Sequence, residues 1–192
     1  LRPDQEEVAK RLIELLRAHS VGVLMAPTGW GKSYVAAEII KRLGGRWLWS
    51  SNLISALSQV ATILDEYGIK YLLTTGRERL CNLKLQYVDF IRGACERCRF
   101  NIPPKDVKTL TFKLYTEIKD AAEMMGICAY NVQEALTKWL LKTNKDVVIL
   151  LNYRRAQKFA GYVNGIILDE AHNLSTPRIT HLPRKIVELL LE

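Results

Sequence analysis

The chain has 192 residues, 48% of them hydrophobic and 25% charged, enough to bury one substantial core and a small second unit. Lys and Arg outnumber Asp and Glu by 28 to 20, a balance that suits a polyanionic partner. No uncharged apolar run approaches the ~18 residues needed to cross a bilayer and no secretory leader opens the sequence, so the expectation is an intracellular protein, in cytoplasm, nucleus or nucleoid, with no membrane role.

Asp4 is placed to cap a first helix, in which Val8, Leu12, Leu15 and Leu16 share one face up to about residue 19. Gln5 carries an amide that offers a donor and an acceptor side by side, as an adenine edge requires; a solvated glutamine near a helix start accounts for it equally. Next comes an apolar run, Val21-Gly22-Val23-Leu24-Met25, which predicts a strand. It leads into Ala26-Pro27-Thr28-Gly29-Trp30-Gly31-Lys32-Ser33 and then a helical pattern over 34–43. A polyphosphate needs curved backbone N–H groups, glycines that permit close approach and the positive end of a helix behind them. Thr28, Gly29, Trp30 and Gly31 supply the cradle, Lys32 a charge for the β- and γ-phosphates, and the Ser33 hydroxyl a ligand for Mg²⁺. Ala26 stands where the usual pattern has its first glycine, and a surface turn with a capping lysine is the plainer alternative.

Gly44-Gly45 interrupts the chain before a short strand, Arg46-Trp47-Leu48-Trp49, whose tryptophans suit sheet packing better than base stacking. Ser50-Ser51-Asn52 follows, able either to contact backbone phosphates or to cap the helix predicted over 55–67. A further strand is predicted over 69–73. The order βαβαβ implies a parallel sheet with helices on both faces and ligands at its carboxyl edge.

The alternation then stops. Between Arg77 and Lys119 there are ten Lys or Arg against five Asp or Glu, and two helical stretches are predicted over 107–125 and 131–141. All four cysteines, Cys81, Cys95, Cys98 and Cys128, fall in this insertion. Cys95-Glu96-Arg97-Cys98 puts two thiolates one turn apart, with Cys81 and Cys128 to close the set, and four thiolates satisfy either tetrahedral Zn²⁺ or a 4Fe-4S cluster. On spacing alone zinc leads, being the commoner. Arg77, Arg79, Arg92, Arg97 and Arg99 surround the thiols and could guide a phosphate backbone or form a solvated basic surface.

The sheet is predicted to resume over 146–151 and again over 165–168, with another helix beginning in 184–192. Gly165-Ile166-Ile167-Leu168-Asp169-Glu170-Ala171-His172 is an apolar run ending in two carboxylates, as where a buried strand emerges at the ligand edge. Asp169 could hold Mg²⁺ through its water shell and Glu170 could orient the water that attacks the γ-phosphate.

Taken in order, these residues carry a family resemblance. Arg2-Pro3-Asp4-Gln5, the loop 26–33, Gly76-Arg77 through Leu80-Cys81, Cys95-Glu96-Arg97-Cys98, Cys128-Ala129-Tyr130, Val147-Val148-Ile149 through Asn152-Tyr153, and Asp169-Glu170-Ala171-His172-Asn173-Leu174 resemble the N-terminal part of XPD-type DNA helicases of superfamily 2, relatives of the DinG helicases. The resemblance implies a RecA-like P-loop α/β domain interrupted by a mainly helical iron-sulfur insertion, with the four cysteines on a 4Fe-4S cluster in place of zinc. It implies segments 1–76 and 143–174 as the motor domain, 77–142 as the insertion, and 175–192 as the start of a further one. It also implies ATP and Mg²⁺ as cofactors, 5′ to 3′ movement on single-stranded or forked DNA, Gln5 as the adenine reader, and His172 as the link between nucleotide state and the strand-binding side. Where the family has a basic, hydroxyl-rich segment, this chain has Ser50-Ser51-Asn52-Leu53-Ile54. A second motor domain with its arginine fingers is not found in the 192 residues, so the expectation is a fragment that turns ATP over poorly by itself. A competing reading is a zinc-stabilised nucleotide-binding interaction module without motor activity.

Overall fold

The computed structural model describes residues 1–85, 89–90, 92–102, 104 and 112–171. The predicted helix over 184–192, His172 and the 175–192 segment lie outside the described residues, as does the first part of the helix expected over 107–125. In chain order the elements are α1 (Pro3–Ala18), α2 (Lys32–Leu43), β1 (Arg46–Ser50), α3 (Ile54–Glu66), β2 (Tyr71–Leu73), α4 (Arg77–Leu80), α5 (Tyr115–Met124), α6 (Ala129–Thr143), β3 (Val147–Leu151), α7 (Tyr153–Phe159), a 3-10 turn (Ala160–Tyr162) and β4 (Gly165–Leu168).

The four strands form one parallel sheet in the order β2-β3-β1-β4. Parallel strands with helices against them are buried on both faces, and β1 and β3 read accordingly: Leu48 and every residue from Val148 to Leu151 are fully buried. On one face Trp47, Trp49, Val148 and Leu150 pack against α2 and α3. The other face, built on Leu48, Ile149 and Leu151, is covered by α5 and α6 through Ile118, Ala122, Val132 and Leu136. The helices of the cysteine-bearing insertion therefore share the sheet's core. Trp47 and Trp49 are packing residues, as expected, 7% and 1% exposed. Trp47 lies flat over Gly165, where an added Cβ would come within 2.2 Å of the ring.

Three expectations fail. Residues 21–25 form no strand: Val23 is 77% and Met25 90% exposed, and among the described residues nothing pairs with the outer edge of β4. An apolar run gains strand geometry only from a neighbour that takes up its N–H and C=O groups, and among the described residues none pairs with this one. Asp4 is not the cap of α1. Arg2 holds that position, Pro3 opens the helix, and the side chain of Gln5 reaches back to accept the Arg2 N–H at 2.9 Å. Leu15, placed on the apolar face by spacing, is exposed, and the buried face is Ala9, Leu12 and Ile13.

Candidate active site

The phosphate-loop sequence makes a tight turn directly before α2. Gly29 (φ 79°) and Gly31 (φ 98°) both take left-handed conformations, the geometry that favours glycine. At Gly31 there is a second reason, since a Cβ would sit 2.5 Å from Gln5 Nε2. Gln5 is buried and its Nε2 donates to the Trp30 carbonyl at 2.6 Å, while Arg2 Nη2 donates to the same oxygen at 2.8 Å. The start of α1 thus grips the tip of the loop. Each end of the Gln5 amide makes one bond within the protein, which leaves one N–H and one lone pair for an adenine edge. Thr28 and Gly29 are exposed, whereas Trp30, Gly31, Lys32 and Ser33 are half-buried. Trp30 packs against the Ala9, Leu12 and Val35 cluster between α1 and α2. Lys32 Nζ folds back to donate to the carbonyls of Ala26 (2.9 Å) and Pro27 (3.2 Å).

Asp169 follows the last residue of β4, and its N–H donates to the Ser50 carbonyl at 2.9 Å, which extends the β1–β4 ladder by one rung. Burial pushes its carboxyl above the usual carboxylate range, and the charge of Glu170 pushes the same way. The indole N–H of Trp49, the backbone of Glu170 and the ammonium of Lys32 act in the opposite sense. Trp49 Nε1 reaches no partner in good hydrogen-bond geometry, and the buried hydroxyl of Ser50 has none. Lys32 and Asp169, 137 positions apart, are therefore close enough for the charge of one to act on the other. Glu170 is exposed with a left-handed backbone (φ 54°), which turns the chain sharply at the strand end.

The four cysteines are unpaired and half-buried. All four line one cavity of about 150 Å³ together with Arg77, Phe90 and Tyr130. Among the described residues no three His, Cys, Asp or Glu side chains converge tightly enough to hold a single metal ion as they stand. Four thiols around one cavity fit a thiolate-ligated centre in kind and number of donors. Arg77 Nη1 lies 3.5 Å from Cys95 Sγ and its guanidinium stacks 4.5 Å from the Tyr130 ring centre. Arg77, Arg79, Arg92, Arg97 and Arg99 are all exposed.

Sequence reasoning missed the side chains that tie this insertion to the sheet edge. Gln133, fully buried on α6, accepts the Thr75 N–H (2.9 Å) and donates to the Thr75 carbonyl (3.0 Å). Arg155 on α7 donates to Thr74 Oγ1 (2.7 Å), the Thr75 carbonyl (3.1 Å) and Glu134 (2.5 Å). Lys158 also reaches Glu134, and the Tyr153 hydroxyl donates to the Asp169 carbonyl. A signal existed in the sequence: Asn152 directly after β3 is a helix cap, which predicts a short helix at the ligand edge.

Residues 1–51 match the family described as Type III restriction enzyme, res subunit. Comparison with curated proteins finds no match. Among solved structures the chain is similar to an XPD helicase, 21% identical with a TM-score of 0.66, over 91% of this chain and 33% of that one. It is also similar to a truncated XPD, 19% identical with a TM-score of 0.54, over 93% of this chain and 55% of that one. The chain thus spans between a third and about half of the length of these structures, and over that span it has the mixed α/β fold of the N-terminal part of an XPD helicase.

Proposed function

We propose that the chain is the nucleotide-binding part of an ATP-dependent DNA helicase that moves 5′ to 3′ on single-stranded DNA. Residues 1–76 and 143–174 form the motor domain, 77–142 the insertion, and 175–192 open a further one. The observation that carries the reading is the left-handed Gly29 and Gly31 turn directly before α2, together with Asp169 standing at the carboxyl edge of the sheet. That edge is where ligands of parallel α/β sheets gather. The XPD-like fold and the match over residues 1–51 support the same class.

In this reading the triphosphate lies along the loop 26–33 and draws Lys32 Nζ away from the Ala26 and Pro27 carbonyls. Ser33 and Asp169 would hold Mg²⁺, which when bound neutralises charge building on the phosphate oxygens. Glu170 orients the attacking water, and His172 passes the nucleotide state to the strand-binding side. Gln5 keeps the loop in shape through Trp30 and offers its amide to the adenine. The four cysteines would hold a 4Fe-4S cluster, which when bound cross-links the insertion, and the exposed arginines beside it carry the DNA strand.

ATP turnover by the purified protein, measured with and without single-stranded DNA, tests the motor. Slow turnover that Lys32→Ala abolishes is the expected result for these 192 residues; turnover that Lys32→Ala leaves intact would remove the site. Visible absorption tests the centre, since an iron-sulfur protein is brown and a zinc protein colourless. DNA affinity that does not fall with salt would remove the arginine surface from the proposal.

A further inference from the structure

A short series of groups leads from the cysteine cavity to the metal-edge carboxylate, its last link being the backbone of α7. Arg77 meets Cys95 at one end and the ring of Tyr130 at the other, and Tyr130 has the Arg155 guanidinium 5.6 Å from its ring centre. Arg155 sits two residues along α7 from Tyr153, whose hydroxyl holds the Asp169 carbonyl. Helix α7 is thus a short bracket with one arm on the insertion and the other on β4. The insertion arm is costly to build. The Arg155 and Glu134 side chains are each only 11% exposed, and Arg155 Nε is buried with no partner. An ion pair taken out of water contributes little net stability compared with apolar packing, so stability alone does not account for it. What it does provide is a fixed direction. The guanidinium fork joins three elements at once: Thr74 and Thr75 at the end of β2, Glu134 on α6, and its own helix.

We propose that Arg155 is a positioning residue: by locking α7 to α6, the helix that Cys128 caps, it sets through Tyr153 where the backbone of Asp169 stands. The seating of the insertion is then transmitted to the metal edge, an effect that rests on the nucleotide reading only where turnover is concerned. Contiguous contact does not by itself demonstrate coupling, so the test must read the far end of the chain of contacts. In Arg155→Met, which keeps the bulk of the stem and removes the fork, backbone amide exchange over residues 165–171 should rise at least tenfold. Exchange in α2 should match the wild type. Exchange that rises only in α6 and the β2 end, or evenly across the protein, would overturn the proposal and leave Arg155 a local structural residue. Should the methionine variant fail to fold, Arg155→Lys carries the same reading, because it keeps the charge but cannot span Thr74, Thr75 and Glu134 together.

Turnover supplies the second arm. Arg155→Met should raise the Mg²⁺ concentration for half-maximal ATPase severalfold while the KM for ATP stays near the wild-type value, with partial recovery in Arg155→Lys. An unchanged Mg²⁺ requirement in a folded variant overturns the proposal. Where turnover by these 192 residues is too slow to read, the exchange measurement decides the positioning claim by itself.

Discussion

The amide of Gln5 holds the Trp30 carbonyl at 2.6 Å, which makes a residue of the first helix a structural part of the phosphate loop. Replacing Gln5 by alanine leaves the Arg2 N–H without its acceptor and opens space beneath Gly31. Loss of a buried partner of this kind costs about 1–3 kcal/mol. Nucleotide affinity should fall by about tenfold, which corresponds to ~1.4 kcal/mol, as the loop loses its support. Titration with a fluorescent ATP analogue checks it; affinity equal to the wild type would mean that the loop holds its shape unaided.

Trp47 pairs with Gly165 between β1 and β4, and its ring fills the space a Cβ at Gly165 would need. In Gly165→Ala the new methyl must displace the indole, and overpacking a filled core typically costs about 1–3 kcal/mol. Because Asp169 is mounted on the same strand, the expected result is a lower melting temperature together with weaker Mg²⁺-dependent nucleotide binding. The pairing Gly165→Ala with Trp47→Phe, which trims the ring, should recover part of both.

The Tyr71 hydroxyl donates to Asp65 at 2.7 Å, and Lys113 reaches the other oxygen of the same carboxylate at 2.9 Å. The Tyr71 bond, with Lys113 behind it, holds the Asp65 carboxyl below its ordinary value. Burial, and then the bond to Asp65, push the Tyr71 phenol well above its ordinary value. The signs oppose each other. Asp65 contributes stability that is present above the ordinary carboxylate pKa of about 4 and is lost as pH falls through its depressed value. Tyr71 contributes stability that is present below about pH 10 and is lost as pH rises toward its raised value. Tyr71→Phe should flatten both arms of a plot of denaturant midpoint against pH. Arms unchanged in that variant would assign the pH dependence to other groups.

Val23 and Met25 are exposed, and the outer edge of β4 is unpaired among the described residues. An uncovered apolar edge templates association with other chains. The purified protein should therefore self-associate with rising concentration, and the double variant Val23→Lys, Met25→Lys should suppress this without lowering the melting temperature. Sedimentation velocity distinguishes the outcomes.

Much of this molecule could be read from its residues because local and global signals agree. The alternation of apolar strands and amphipathic helices gave β1, β3, β4, α2 and α3 within a few residues, and the burial of Trp47 and Trp49 with them. The place of Asp169 at the end of β4 was legible because an apolar run that closes on two carboxylates reads as a buried strand emerging at the sheet edge. Residues 21–25 were misread because strand formation depends on a partner, which no window of sequence reveals. The bracket through Tyr153, Arg155, Glu134 and Gln133 was invisible for a related reason: each of these residues is unremarkable alone, and their meaning lies in contacts made across 16 to 81 positions.

Gln133 offers Thr75 one acceptor and one donor, the pair of partners that an adjacent strand would have given. A single side chain from a helix thus prolongs the backbone ladder past the point where the sheet runs out of strands. For anyone wishing to transplant the cysteine-bearing module onto another scaffold, the seam to reproduce is this amide clasp together with the apolar surface under α5 and α6. A glutamate in its place could accept from Thr75 but would face the carbonyl with like polarity, and the graft should come loose at that seam.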